Sequence, residues 1–290
     1  MRNRWKVGKE QSGMRLQAFV KGHMEESVSA KQVKHAIDAG LCLLNGKPER
    51  FASRLVGDGD VVEIEGLQTK AASIRQPLAE KERILYSDEG IIAYDKPAGI
   101  SADSRELLKS LQLHAVSRLI LLHRLDKDTT GVLLFARNDV IAKNMESLFK
   151  KRLIQKKYLA IVSGLPAQSS GVIENYLGRL AAYEGQAIWG VVNQEKGLFA
   201  KTAWKVEKKG KTTALLVCYP ETGRTHQIRV HLSSMGHPIL GDHQYGYVRK
   251  GEERPPRILL HAAEVTFEHP TQKRMITIQA PVPADFAGRV

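Results

Sequence analysis

Residues 83–290 are dominated by strand-like runs with few helices between them, and this pattern most constrains the fold. "IIAYDKP", "GVLLFAR", "KYLAIVSG", "FAKTAWKV", "TALLVCYP", "THQIRVHL", "ILLHAAEVTF" and "RMITIQAP" are rich in β-branched and aromatic residues and are bounded by turn formers. The clearest helix is "NDVIAKNMESLFKKR", where Asn138 can cap and Ile141, Met145, Leu148 and Phe149 form an apolar stripe. A doubly wound parallel sheet needs regular alternation of strand and helix. The pattern predicts instead an α+β domain built on a mixed, mostly antiparallel sheet.

A smaller α+β unit precedes it, over residues 1–66. "SVSAKQVKHAIDAGLCLLNGK" offers Ser27 or Ser29 as a helix N-cap, sets Val33, Ala36 and Ile37 at helical spacing, and reaches a natural stop at Gly40. "LCLLNGK" reads as a strand entering an Asn45-Gly46 turn, and "DGDVVEIEG" as a closing strand. Lys31, Lys34 and His35 share one helix face, which suits either plain solvation or a phosphate backbone. Between the two units, "LQTKAASIRQPLAEKE" (67–82) is polar, carries Pro77 and reads as a linker.

The chain has 44 Lys+Arg against 31 Asp+Glu, a net charge of +13. Such an excess favours a polyanionic partner, nucleic acid first, through neutralised phosphates and released counterions. Residues 1–66 carry 11 basic and 9 acidic residues, so the remaining 33 and 22 put most of the excess on the larger domain. No run approaches the roughly 18 apolar residues of a membrane span. "MRNRWKVGKE" lacks the apolar core of a secretory signal. With only Cys42 and Cys218, neither a disulfide framework nor a four-cysteine zinc site is expected. These features point to the cytoplasm.

Two familiar chemistries fail on spacing. "KKGKTT" (208–213) ends like a phosphate-binding loop, but Lys205 stands where that motif needs glycine. Zinc deaminase chemistry lacks its Pro-Cys-x-x-Cys. A denser signal is "LLHRLDKDTTGVLLFAR" (121–137), which sets His123, Arg124, Asp126, Lys127 and Asp128 at the lip of a buried run. Taken alone, it is compatible with turn formation or capping by Asp126, Asp128 or Thr129. A second polar stretch, "YPETGRTHQIRVHLSSMGHPILGDHQYG" (219–246), shifts the weight. Read as a strand, its "HQIRVHL" puts Gln227, Arg229 and His231 on one face, where Arg229 could meet a carboxylate. In "KKRLIQKKYLA" (150–160) five cations lead to Tyr158, a pairing of phosphate contacts with a stacking ring that suits a displaced nucleotide.

"HRLDKDTTGVLLFA", "KKYLA", "ETGRTHQIRVHLSSMGHPILGD" and "RILLHA", with "YDKPAGI" (94–100) ahead of them, closely resemble the RluA-like family of pseudouridine synthases over about residues 84–283. Residues 13–65 resemble the S-four-type RNA-binding module, with Gln17 standing where an acidic residue is usual. The resemblance implies the pseudouridine synthase fold and an isomerisation in which uracil is detached, turned and rejoined through carbon. It implies Asp126 as the catalytic aspartate, Arg229 as its partner, Tyr158 as the stacking ring and a candidate for the final proton abstraction, and Arg124 as the residue that displaces the nucleotide. Lys156, Lys157, Arg224 and His226, with Lys31 and Lys34 of the small module, are the expected RNA contacts. Attack at C1′, attack at C6 and elimination of a sugar proton all stay open. The reaction has no redox step and no group donor, so no cofactor, nucleotide or metal is expected.

Among the remaining polar residues, His123 and Asp242 read as structural hydrogen-bonders and Asp128 as turn chemistry. Lys96 is balanced between a phosphate contact and loop support. Residues 182–198 match the family poorly and are read as peculiar to this protein's own substrate. Large-subunit rRNA is ranked ahead of tRNA, and a monomer is the default. Two other classes compete: a non-catalytic RNA-binding or ribosome assembly factor, and a metal-dependent nuclease using Asp126, Asp128 and Asp242.

Overall fold

The computed structural model describes residues 2–24, 28–38, 41–49, 51–65, 81–105, 107–109, 111, 118–183, 186–246 and 255–290. The chain divides into two units, Met1–Gln76 and Pro77–Val290. Most of the stretch read as a linker, with Gly40 and Ser27, lies outside the described residues. Among the described residues no helix is long and apolar enough to cross a membrane.

In the first unit, β1 (Arg2–Lys6), β2 (Cys42–Leu44), β3 (Lys47–Glu49) and β4 (Val61–Glu65) form an antiparallel sheet in the order β1-β4-β2-β3. Helices α1 (Leu16–Gly22) and α2 (Ala30–Asp38) complete it. Leu16, Phe19 and Val20 of α1 and Val33 and Ile37 of α2 share a core with Cys42, Val62 and Ile64. Ser29 caps α2 reciprocally: the Gln32 N–H donates to Ser29 Oγ at 3.2 Å, and the Ser29 N–H donates to Gln32 Oε1 at 2.8 Å. The β2–β3 turn places Asn45 at φ 53° and Gly46 at φ 79°, the left-handed pair that a tight hairpin requires. β1 escapes a sequence reading because its residues are nearly all polar; its antiparallel register with β4 and the partly buried Trp5 hold it.

The second unit is α+β. It contains an 11-stranded sheet from β5 (Ile84–Ser87), β6 (Ile91–Lys96), β7 (Ile120–Leu121), β8 (Thr130–Ala136), β9 (Gln155–Ser163), β10 (Ser170–Tyr183), β11 (Gln186–Val192), β12 (Leu198–Lys209), β13 (Thr213–Pro220), β14 (Leu260–Glu268) and β15 (Met275–Gln279). The main path runs β11-β10-β12-β13-β9-β14-β8-β6-β5, with β15 on β14 and β7 on β8. All seven residues of β8 are buried, as its continuous apolar run requires. Helix α3 (Asp139–Lys150) covers this part: Asn138 Oδ1 accepts the Ile141 N–H at 2.9 Å, and Ile141 and Met145 pack with Ile91, Val132, Leu134 and Phe267.

One stretch departs from expectation. "QIRVHLSS" is not a strand but a helix, α4 (Gln227–Ser234). Seven alternating residues are too few to separate period 2 from period 3.6, and here packing decides. On the helix Ile228 and Leu232 stand four apart and both enter the core, while Gln227 and His231 turn to hydroxyl Oγ1 of Thr202, each at 2.9 Å. Arg229 therefore does not share a face with Gln227 and His231; it leaves α4 in a direction of its own.

β14 is the seam of the sheet. Along one edge it pairs antiparallel with β9; along the other it meets β8 in a two-residue parallel bridge, His261↔Thr130 and Ala262↔Gly131, then passes to β15. Gly131 has φ 110°, and a Cβ there would lie 2.2 Å from the Ala262 carbonyl oxygen, so only glycine fits. Thr130 Oγ1 lies 2.9 Å from His261 Nδ1, which ties the same bridge through side chains. The chain ahead of β8, with Asp126, is thereby brought to the β9–β14 pair.

Candidate active site

Asp126 sits in a turn closed by the Thr129 N–H donating to its carbonyl at 3.1 Å. Leu125 is buried with Tyr94, Leu133 and Phe135, while Arg124 is exposed. An apolar pin thus lies between two polar groups that face outward. Lys96, fully buried, clasps the turn from below. Its Nζ donates to the carbonyls of Pro97, Ile100 and Lys127, each at 2.9 Å, matching three donors with three acceptors. Burial pushes its pKa down to about 7 against the pull of Asp128 and Asp126. Of its two possible roles, the geometry gives it loop support. His123 accepts the Leu134 N–H at Nε2 (3.2 Å), and burial, with Lys156 nearby, holds its pKa down to about 4.

Opposite the turn, Arg229 makes four hydrogen bonds. Nη1 donates to Asp126 Oδ2 at 3.1 Å; Nε and Nη2 grip Asp242 at 2.8 and 3.0 Å; Nη2 also reaches Gln244 Oε1 at 3.2 Å. Its guanidinium lies over the Tyr245 ring, 4.8 Å from the centroid. Burial opposes the charge, but hydrogen bonds and attraction from Asp242 and Asp126 outweigh it and raise the Arg229 pKa. Asp242 is in turn held by the N–H groups of Gln244 and Tyr245. Burial alone would raise its pKa; Arg229 and these donors bring it below the usual carboxylate range.

Tyr158 lies on β9 between Cys218 and Ala262 of the flanking strands, and Lys156, two residues earlier, shares its face. Burial, then the Asp126 charge, raises the phenol pKa, so the resting ring is neutral. Lys156 Nζ donates to the Thr222 carbonyl at 3.2 Å, and burial pushes its pKa down to about 8. Arg224 Nε donates to the Phe199 carbonyl at 3.0 Å. Gln227 Oε1 accepts from Thr222 Oγ1 and from the Arg224 N–H, which knits the 221–226 loop to the head of α4.

Together Arg124, Asp126, Lys156, Tyr158, Arg224, His226 and Arg229 line one pocket of about 110 Å³. It opens beside a wider groove that also takes in Lys127, Lys150 and Arg152. Lys157 does not line it, since alternation along β9 turns it from the face of Lys156 and Tyr158. Lys34 is exposed on α2 of the first unit, and the Lys31 and His35 side chains lie outside the described ones. A divalent ion shared by Asp126 and Asp242 would have to displace Arg229, whose guanidinium joins the two carboxylates. The sequence reading overlooked Gln244 and Tyr245. The only hint was their place in "GDHQYG", just after α4, since nothing in a glutamine or tyrosine there announces an arginine to be held.

The cleft presents a carboxylate, its arginine and a half-buried aromatic beside the seam of the sheet. A family profile described as RNA pseudouridylate synthase matches residues 90–234. An uncharacterised RNA pseudouridine synthase of Zymomonas mobilis is 35% identical over 214 residues, covering 71% of this chain and 95% of the relative. The ribosomal large subunit pseudouridine synthase D of Nitrosomonas europaea is 34% identical, covering 80% and 71%. Among solved structures, human RNA pseudouridylate synthase domain containing 1 superposes with a TM-score of 0.60 at 31% identity, covering 68% of this chain and 82% of its own. The chain belongs to the RNA pseudouridylate synthase family, isomerases that convert uridine in RNA to pseudouridine.

Proposed function

We propose that this chain isomerises uridines of large-subunit rRNA in the cytoplasm, as a monomer, with Asp126 as the nucleophile. The observation that carries the residue assignment is the Asp126 carboxylate, held by Arg229 at 3.1 Å in a pocket it shares with Tyr158. The preference for rRNA rests on relatives named as large-subunit synthases, in Nitrosomonas europaea and in Vibrio vulnificus.

A uridine stacked in a helix is out of reach, so it must be flipped, at a cost of a few kcal/mol. Arg124, exposed at the pocket rim, fills the place of the displaced base. Lys156 and Arg224 meet the phosphates, and the Tyr158 ring stacks on the uracil. The balance is internal. The N1–C1′ bond breaks, a C5–C1′ bond forms, the C5 proton is lost to a base, and N1 gains a proton. Attack at C1′, attack at C6 and elimination of a sugar proton all begin from the Asp126 anion. A neutral Tyr158 accepts the C5 proton only once its own proton has left, so water competes with it as the final base. Residues 1–66 serve as an S-four-type module that adds RNA affinity, with Lys31 and Lys34 on its phosphate face and Lys157 contributing from outside the pocket.

The test is pseudouridine mapping of rRNA and tRNA from cells lacking the gene, complemented with wild type or Asp126→Asn. Loss of one or more rRNA sites, restored by wild type alone, is the expected result. Sites lost from tRNA alone would overturn the substrate, and restoration by Asp126→Asn would overturn the nucleophile.

A further inference from the structure

The imidazole of His226 has no part in the pairing of Asp126 with Arg229, yet its surroundings are built with care. His226 stands immediately before α4 at φ 56°, a left-handed conformation that few residues other than glycine adopt and that tends to mark functional sites. Its Nδ1 lies 2.7 Å from the Tyr245 hydroxyl, and its Nε2 lies 3.8 Å from Asp126 Oδ2.

The hydrogen placement follows from the partners. The Trp189 backbone N–H donates to the Tyr245 oxygen at 3.0 Å, so the phenol accepts there. Burial raises the Tyr245 pKa, so the phenol keeps its hydrogen, and His226 Nδ1 is the acceptor in reach among the described residues. Burial lowers the His226 pKa, with Asp126 opposing that shift and Arg229 adding to it. A neutral ring that accepts at Nδ1 carries its one hydrogen on Nε2, the nitrogen facing Asp126.

We propose that His226 is a positioning residue for Asp126: a neutral Nε2–H donor, its tautomer fixed by the Tyr245 hydroxyl, that works with Arg229 on Oδ2 and leaves Oδ1 as the attacking oxygen. Arg229 alone fixes one point of the carboxylate. A second donor on the same oxygen restricts rotation about the carboxyl axis. The separation is 3.8 Å, longer than a hydrogen bond, so it must close with substrate in the pocket for the donor to act. Tyr245 takes its other hydrogen bond from Trp189 of β11, so the β10–β11 hairpin becomes a support of the nucleophile. The inference rests on the reading of Asp126 as the nucleophile.

The test joins a spectroscopic and a kinetic measurement on the full-length protein. With ¹⁵N-labelled histidine, the His226 ring, assigned by its loss in His226→Asn, is expected to show an unprotonated Nδ1 and a protonated Nε2 at neutral pH. Tyr245→Phe keeps the ring under Arg229 and removes only the hydroxyl; the two tautomers are then expected to mix. A protonated Nδ1 in wild type, or an unchanged tautomer in Tyr245→Phe, overturns the proposal. In single turnover at saturating enzyme, His226→Asn tolerates the left-handed backbone but withdraws the donor, and is expected to slow product formation about 10- to 100-fold. Affinity for RNA is expected to stay within about twofold of wild type. His226→Gln returns an N–H near the Nε2 position and should recover most of the rate. Equal losses in the two variants, or a loss of affinity in place of rate, also overturn it. Turnover by Asp126→Asn would instead defeat the reading of Asp126 and leave the tautomer measurement standing, so the two failures are distinguishable.

Discussion

Arg229 reaches Asp126 with one nitrogen, Nη1, and spends its other two on Asp242. A lysine has one nitrogen and cannot span both carboxylates in this planar fork. Arg229→Lys is therefore expected to lower the single-turnover rate about 100-fold or more, with RNA affinity little changed. Release of tritium from uridine labelled at C5 would measure it; a rate near wild type would show that the pairing has no part in the chemistry.

Asp242 is buried, with its side chain 1% exposed, and compensates the Arg229 charge. Asp242→Asn leaves that charge half-paired in the interior, and loss of one partner of a buried pair costs about 3–5 kcal/mol. Urea unfolding should show the loss. Because the Asp242 pKa is depressed in the folded chain, its stabilisation is present above the ordinary carboxylate range and disappears as pH falls through the lower folded value. The acid-unfolding curve of Asp242→Asn should lack that component.

Lys156 is cationic at neutral pH and loses its proton as pH rises through about 8. RNA affinity at constant ionic strength should fall between pH 7 and pH 9 in wild type, roughly by one phosphate contact, and much less in Lys156→Arg. Stability moves the other way. The unfolded chain holds this proton to higher pH, so the burial cost present below about 8 is relieved above it. Filter binding across the pH range separates the two variants, and parallel curves would remove Lys156 from the RNA contacts.

Gly131 packs against the Ala262 carbonyl with no room for a methyl group. Gly131→Ala is expected to cost more than the roughly 1–3 kcal/mol of a strained backbone alone, since the clash adds to it. A thermal midpoint within a degree of wild type would mean that the β8–β14 bridge gives way easily.

Deleting residues 1–70 should weaken RNA binding and alter site choice. The single-turnover rate at saturating enzyme should remain, because every pocket residue lies beyond that segment. Loss of the chemical step itself would assign the small unit a role in catalysis.

The strands β6, β8, β9, β12 and β13 were legible in the sequence because apolar residues crowd them and turn formers bound them. The Asn138 cap and the α3 stripe were equally plain. α4 was not, because the seven alternating residues 226–232 satisfy both periods until Ile228 and Leu232 find the core. β1 was hidden by polar residues that only pairing with β4 explains. At the site, the roles of Asp126, Tyr158 and Arg229 came from motif resemblance and loop support was one of two readings of Lys96, whereas Gln244 and Tyr245 act through contacts that no local pattern encodes. The three carbonyls that enclose Lys96 spell nothing in one dimension.

Arg229 stands 103 residues after Asp126, and β14, which receives β8, begins only at Leu260. On a translating ribosome the aspartate thus emerges long before its arginine, and the strand that fixes its turn comes later still. A nascent chain holds Asp126 without its cradle. Until β14 has been made, the turn that carries Asp126 has no bridge to fix it, and the pocket that Leu260 helps to line is not assembled.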